Sequence, residues 1–352
     1  MVDVITFARA LEASEGLSNR HLLLGNGFSI ACRPDIFSYG SLFESAKPNL
    51  PAELLAVFEV LGTTDFETAI RGLQSSAAVV PIYAADGTAA AAKMLQHADL
   101  LKDELVKAVA SRHPNRPGDI ENAKYQACRR FLSHFLAGEK GAVYTTNYDL
   151  LLYWSAMQTE VDDIRLYHND GFGKDDQDYD AAYVMWHGET KAHGQRVHYL
   201  HGALHLFDAG HQLQKYTWVN TGVPLVDQAR EALGRDEFPL FVAEADSNQK
   251  MSRIQHSAYL HHSYKSYIST IGGGKNSALF VFGHSFDSND DHILEKIGRS
   301  QLGQMYVSLY GPADSPTNLE IIRRAERLKG MRGAAFPLFI GYYDAQSAKV
   351  WG

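Results

Sequence analysis

The stretch His21-Leu22-Leu23-Leu24-Gly25-Asn26-Gly27-Phe28-Ser29 decides how the rest of the chain is read. A short apolar run stops at two glycines flanking one asparagine, which is the pattern of a buried parallel strand ending in a tight turn. The same pattern returns at Ala142-Val143-Tyr144-Thr145, Val197-His198-Tyr199-Leu200, Ala278-Leu279-Phe280-Val281-Phe282, Met305-Tyr306-Val307-Ser308-Leu309 and Phe336-Pro337-Leu338-Phe339-Ile340. Helical spacing over about 249 to 271, 290 to 300 and 317 to 328 separates the last strands, the grammar of an α/β fold with a doubly wound parallel sheet. Ahead of the first strand, Val4 to Ala13 reads as one amphipathic segment.

Between the first and second strands the pattern turns helical, over Glu53 to Leu61, Asp65 to Leu73, Ala89 to Ala110 and Ile120 to Leu136. The breaks fall at Gly62-Thr63-Thr64, Pro81 to Gly87 and 113–119, all rich in residues that punctuate helices. A helical insertion over 42–137 is the reading, with the sheet domain formed by 1–41 and 138–352. The acidic run from Lys174 to Asp180 reads as a solvated loop.

Composition narrows the class of protein. The chain has 352 residues, 45% of them hydrophobic, enough for a large core without cross-links. A net charge of −8 gives no general attraction to a polyanion, so neither direct nucleic-acid binding nor an anionic membrane surface is expected. The first residues lack a basic stretch leading into an apolar one, and no run approaches 18 apolar residues, so the expectation is a soluble cytoplasmic protein. Cys32 and Cys128 form no CxxC pair, which excludes a four-thiolate zinc site within the chain. A histidine metal site could draw on His187, His193, His198, His201, His205, His261 and His262. Extended chain around His201 and His205 would hold those two side chains apart, so no metal is expected.

Ligands of an open parallel sheet sit beyond the carboxyl ends of its strands. Gly25-Asn26-Gly27-Phe28-Ser29 offers amides and a hydroxyl to phosphate oxygens, although the full GxGxxG spacing is missing and Gly-Asn-Gly is also an ordinary turn. Thr145-Thr146-Asn147-Tyr148-Asp149 crowds an amide, a carboxylate and hydroxyls into one turn, and equally suits a helix cap. Leu200-His201-Gly202 places a histidine where a strand stops, a position that structural histidines also take. Gly283-His284-Ser285-Phe286-Asp287 supplies groups suited to ribose hydroxyls, or another cap.

Taken in order, these four ends, continued by Tyr310-Gly311-Pro312, resemble the motif series of the sirtuin-like superfamily. Asp65-Phe66-Glu67 and the stretch from Phe241-Val242-Ala243-Glu244 to Gln249-Lys250 are most similar to a zinc-free bacterial branch, a domain-of-unknown-function family related to sirtuin-like NAD hydrolases of phage defence. The resemblance implies a Rossmann-like domain that takes NAD+ as substrate. Gly25, Asn26, Gly27, Phe28 and Ser29 would hold the pyrophosphate. Thr145 and Thr146 would line the cofactor site, with Gly283, Ser285, Asp287, Tyr310 and Gly311 toward the adenosine half. Asn147 would place the nicotinamide ribose or a water, His201 would act as general base, and Asp149 would order the neighbouring loop.

The chain departs from the deacylating sirtuins at three places. Thr146 stands where they have glutamine, and Ile36 separates Asp35 from Phe37 in a loop that otherwise resembles their mobile cofactor loop. The four zinc cysteines are missing. The expected activity is therefore cleavage of the nicotinamide glycosidic bond, giving nicotinamide and ADP-ribose or a cyclised product. A sensor that binds NAD or ADP-ribose without turnover is one alternative, and an NAD-dependent protein deacylase or ADP-ribosyltransferase is another. The resemblance also implies a homo-oligomer or a defence-system partner protein.

Overall fold

In the computed structural model the described residues are 2–138, 141–188, 194–210, 212–218, 221–244, 246–333 and 335–352. Seven parallel strands form the main sheet: β1 (Val4–Ile5), β2 (Asn19–Leu24), β3 (Val143–Thr145), β6 (Val197–Tyr199), β9 (Ser277–Phe282), β10 (Gln304–Leu309) and β11 (Phe339–Asp344). The small strands β4 (Phe172–Gly173), β5 (Tyr183–Trp186), β7 (Leu206–Asp208) and β8 (Leu213–Tyr216) make a separate antiparallel sheet. Across the main sheet the order is β1-β11-β10-β9-β2-β3-β6. With the two-residue edge strand β1 set aside, the order read from β6 is 3-2-1-4-5-6 by appearance in the chain. That is the Rossmann arrangement, and its switch point lies between β2 and β9.

The central strands explain why the sequence reads as it does. Leu22, Leu23 and Leu24 and Ala278 to Val281 are wholly buried, so both strands are runs of apolar residues rather than alternations. Leu22, Leu24 and Phe280 face one core, while Leu23, Leu279 and Val281 face the other. The helices Ala52–Leu61, Phe66–Tyr83, Gly87–Arg112 and Asn122–Leu136 all fall in the crossover between β2 and β3. Leu54, Phe58, Phe66, Ile70, Leu101 and Phe131 from these helices join the same core as Leu22 and Phe280, so the helical segment is packed onto the sheet.

Several elements differ from the sequence reading. Val4–Ile5 is a short strand pairing with Tyr342 and Tyr343, followed by helix Phe7–Ala13 rather than continuous with it. β11 begins at Phe339 and runs on through Gly341, whose missing side chain admits the Tyr306 ring; a Cβ there would lie 2.8 Å from Tyr306 Cδ1. The segment 249 to 271 is two helices, Ser247–His256 and Ala258–Gly272, because Ser257 is extended and its hydroxyl accepts the Leu260 amide to cap the second. Pro81 lies inside Phe66–Tyr83 rather than ending it. Helix Leu225–Gly234 and the antiparallel sheet had no sequence signal, since the sheet's strands span only two to four residues each. Among the described residues no helix is long and apolar enough to cross a membrane.

Candidate functional site

The turns after β2 and β9 are pressed together at the switch point. Gly25 donates its amide to Phe282 O at 3.0 Å and Gly27 to Gly283 O at 2.8 Å. A Cβ on Gly27 would stand 2.5 Å from Gly283 Cα, so the contact requires glycine. The amides of Phe28 and Ser29 are turned inward to Gly25 O and Asn26 O, and the Asn26 amide group donates to Phe37 O. Phe286, next to this contact, holds a left-handed backbone (φ 58°), fixed by burial of its ring and by its N–H donating to His284 Nδ1 at 2.9 Å.

A first polar group gathers beneath β2 and β3. Ser29 Oγ donates to Asp149 Oδ2 at 2.5 Å, and Asn147 Nδ2 donates to Ser29 Oγ at 2.9 Å. The Asn147 amide donates to Thr145 Oγ1 at 3.1 Å, while Thr146 anchors the turn to Leu24 O. Asp149 Oδ1 accepts the amide of Leu151 at the start of helix Leu151–Met157, so its capping role and its place in the site coexist. Burial raises the Asp149 pKa, opposed by the Ser29 hydroxyl and the Leu151 amide. Four residues singled out in the sequence, Ser29, Thr145, Asn147 and Asp149, are thus brought together. The Ser29 hydroxyl, however, is committed to Asp149 in the interior rather than offered to a phosphate.

A second polar group lies where β6 ends. Gly202 (φ 81°) lets the chain at Leu240 pass so closely that a Cβ would sit 1.9 Å from Leu240 O, and His201 O accepts the Val242 amide. His201 is 2% exposed, with Nε2 3.1 Å from His292 Nε2 and 3.8 Å from Asp290 Oδ1. Lys250 Nζ lies 2.9 Å from Asp290 Oδ1 and 3.0 Å from Glu67 Oε2, and His284 Nε2 faces Asp290 Oδ2 at 3.2 Å. The Asn289 side-chain amide also donates to Glu67.

The electrostatics of this group follow from two carboxylates sharing one ammonium. Burial pushes Asp290 up, but Lys250 and His284 more than offset it and leave the carboxyl well below its ordinary range. Glu67 is raised to about 7 by burial, with Lys250 opposing and the Asp290 charge adding to the rise. Lys250 ends above its usual value despite burial because both acids hold its proton. Burial drives His201 well below the usual histidine value, with Asp290 only partly opposing, so the ring is neutral at neutral pH.

Residues 22–351 match the sequence profile of the family described as domain of unknown function DUF4917. The chain belongs to this family. No curated protein matches it. The DUF4917 match starts inside β2 and ends at Trp351, whose indole donates to Phe28 O at 2.8 Å, so both polar groups and the helical segment lie within it.

Toward the far side of the switch point, this DUF4917 chain exposes Ser285 and Tyr310 and half-buries Asp287. Asp287 Oδ1 accepts the Asn289 amide and faces Arg71 at 3.5 Å and Arg324 at 3.7 Å. The Tyr310-Gly311 turn (Gly311 φ 74°) is held by the buried Asn318 amide, which donates to Tyr310 O and Pro312 O. Tyr310, 74% exposed, and Ser285 are available to a ligand at the rim.

Among the described residues, the one group with metal-ligand atoms close together is His201, Asp290 and His292, within 4.8 Å of one another. In the DUF4917 chain Lys250 Nζ and His284 Nε2 face the two oxygens of that carboxylate, so its charge is paired within the chain. The histidines considered from sequence are dispersed: His198 bonds Ser263 and Ser266 and stacks on Tyr144, and His205 packs on Tyr153 and Tyr199. His193 lies outside the described residues.

Sequence reading placed Glu67 and Lys250 in the stretches that carry the family resemblance and considered the lysine as a phosphate or interface contact, but gave no catalytic role to either, nor any to Asp290 or His292. Lys250 and Ile254, four apart, are the buried residues of helix Ser247–His256, so the lysine sits on the helix's apolar face. A lysine in that position was the available signal. Asp290 and His292 simply follow the Gly283–Asp287 motif, and nothing local separates them from a helix start.

Proposed function

We propose that this protein hydrolyses NAD+ at the nicotinamide N-glycosidic bond, releasing nicotinamide and ADP-ribose. The observation that carries the reading is an oriented asparagine amide and a neutral buried histidine at the carboxyl ends of the adjacent strands β3 and β6, beside the Rossmann switch point. The motif series similar to the sirtuin-like superfamily supports the same substrate.

The chemistry divides among the chain's own residues. Asn147 spends its amide N–H on Ser29, which fixes the side chain and directs the amide oxygen toward a ribose hydroxyl or a water. His201 is neutral and can accept a proton from that hydroxyl or water, and the neighbouring Asp290 carboxylate favours the imidazolium that results. Breaking the bond develops oxocarbenium character on the ribose, which a site shielded from bulk water and lined with fixed dipoles stabilises. Ser285, Asp287 and Tyr310 stand where the adenosine half would lie. Asp287 is engaged by two arginines, which leaves the Ser285 and Tyr310 hydroxyls to meet a ligand there.

A second reading, an NAD or ADP-ribose sensor without turnover, is favoured by one observation: Asn147 is only 9% exposed and the two glycine turns touch, so a dinucleotide needs the site to open. Incubation with NAD+ and separation of products distinguishes them. Hydrolysis gives equimolar nicotinamide and ADP-ribose, cyclisation gives nicotinamide and a cyclised product without uptake of water, and in either case His201→Ala abolishes nicotinamide release while NAD+ still binds. Binding with unchanged NAD+ in the wild type supports the sensor and sinks the hydrolase.

A further inference from the structure

Two histidines from opposite flanks of the site turn the same ring atom toward each other. His201 follows β6 and His292 follows β9, and in the sheet order β9-β2-β3-β6 the ends of β2 and β3 lie between them. Their Nε2 atoms stand 3.1 Å apart, with the rings inclined at 22°. Asp290 Oδ1 approaches the same point, 3.8 Å from His201 Nε2. His292 has no part in the proton transfer assigned to His201.

Two imidazole nitrogens this close share one hydrogen; one donates and the other accepts. His292 Nδ1 is enclosed against the Asn289 backbone, whose carbonyl attracts the hydrogen on that atom. His292 Nε2 therefore keeps a lone pair, His201 Nε2 supplies the shared hydrogen, and His201 Nδ1 is the atom free to act as base. An imidazole whose far nitrogen faces a backbone carbonyl is oriented as metal ligands are, and two histidines with one carboxylate make a donor set that binds zinc. The three ligand atoms lie within 4.8 Å of one another. To share one ion at zinc bond lengths of about 2.0–2.2 Å they need to close by about an ångström. Lys250 and His284 face Asp290, but each carboxylate oxygen has two lone pairs, and with Glu67 ionised the two acids outnumber the ammonium and leave the group net negative.

We infer that His201, Asp290 and His292 form a binding site for one zinc ion, and that the ion shuts off nicotinamide release. Binding rests on the geometry alone, whereas the inhibition rests on the hydrolase reading. The ion accepts a lone pair from Nε2 of each ring and one from Asp290 Oδ1, and loses waters of its hydration shell in exchange. The hydrogen that lay between the rings moves through water to His201 Nδ1, so no proton is released overall. His201 then has no lone pair with which to take a proton from a ribose hydroxyl or a water. The ion also ties the end of β6 to the segment after β9 across the turn that carries Asn147. Both rings are buried, so the ion loads as the site opens, as it must for a dinucleotide. Of the seven histidines considered from the sequence only His201 takes part; Asp290 and His292 supply the rest.

Zinc alone is the probe. Protein prepared without a histidine tag, stripped with EDTA and dialysed against Zn2+ should take up one ion per chain with micromolar or tighter affinity, read by atomic absorption. His292→Ala should weaken uptake more than about a hundredfold, since it removes a ligand rather than an outer partner. Nicotinamide release by the wild type should fall about a hundredfold as the site fills, the contribution of a general base, and return when EDTA is added. His292→Ala, at whatever rate it shows without metal, should not respond to the same zinc. If His292→Ala fails to fold by circular dichroism, His292→Gln takes its place, because its amide oxygen still accepts the His201 hydrogen while no imidazole is offered. No uptake, or uptake unchanged in the variant, overturns the site. A filled site with release unslowed overturns the inhibition. If the metal-free wild type releases no nicotinamide, the hydrolase reading fails separately, and zinc uptake by wild type and variant still decides the site.

Discussion

Ser29 shows how far one residue's role depends on which way its helix turns. A serine after a glycine turn suits a phosphate contact by residue type alone, yet its hydroxyl joins Asn147 to Asp149 inside the fold. The sequence put these three residues in the site because each sits at a strand end. It could not give their contacts, which depend on the 118 to 120 residues of chain that separate Ser29 from the other two. Ser29→Ala should cost about 1–3 kcal/mol, because the Asp149 oxygen keeps its burial and loses its donor. Nicotinamide release should also fall about tenfold or more, as Asn147 loses the contact that orients it, while NAD+ affinity changes little. Urea unfolding and a product assay on the same variant check both; wild-type values in both would make the Ser29 contacts incidental.

At the scale of elements, the helix Phe66–Tyr83 is more than a cover. Asp65 caps it by accepting the Glu67 amide, and its first two turns send Glu67 to Lys250 and Arg71 to Asp287. The start of the helix was legible from its punctuation, since the Gly62-Thr63-Thr64 break precedes it, whereas its end, read at Leu73, lies at Tyr83. Its attachment was not, because a glutamate in a first turn is ordinary on any helix. Glu67 and Asp290 retain 19% and 13% of their side-chain exposure whereas Lys250 retains 1%, so the lysine is the keystone. Lys250→Met should destabilise by about 3–5 kcal/mol, since two carboxylates would be left with no ammonium. Adding Glu67→Gln should recover part of the loss, because one of the uncompensated charges is then gone. A double-mutant cycle in urea reads the coupling; strictly additive losses would show that Glu67 and Lys250 do not interact in solution.

Over the whole molecule, strand order was the most legible feature, because each apolar run ended in a distinctive turn. The least legible was how many histidines the core would hold neutral. His21, His113, His198, His201, His205 and His292 are all buried. Burial lowers His21, His113 and His292 to about 4 and His198 to about 3, and takes His201 and His205 well below the ordinary 6.5. In the unfolded chain each regains its ordinary value, so between pH 6.5 and about 4 the unfolded state binds more protons and stability falls as pH falls. Above 6.5 these contributions are complete. Glu67 acts in the opposite sense: with its pKa raised from 4.5 to about 7, its contribution is whole below 4.5 and is lost as pH rises through 7. Asp290, held low, keeps its contribution above its unfolded value and loses it only as pH falls through its folded one. At about 1.4 kcal/mol for each pH unit separating folded and unfolded values, a few such histidines match the roughly 5–15 kcal/mol that holds a typical domain folded. The histidine term therefore dominates on the acid side, and the protein should be most stable near neutrality and unfold before pH 4. Urea midpoints measured from pH 8 to pH 4 should stay nearly level down to 6.5 and then drop with the uptake of more than one proton. A midpoint at pH 4.5 equal to that at pH 7 would mean that these rings are hydrated in solution, and the neutral-histidine account of the core would fall with it.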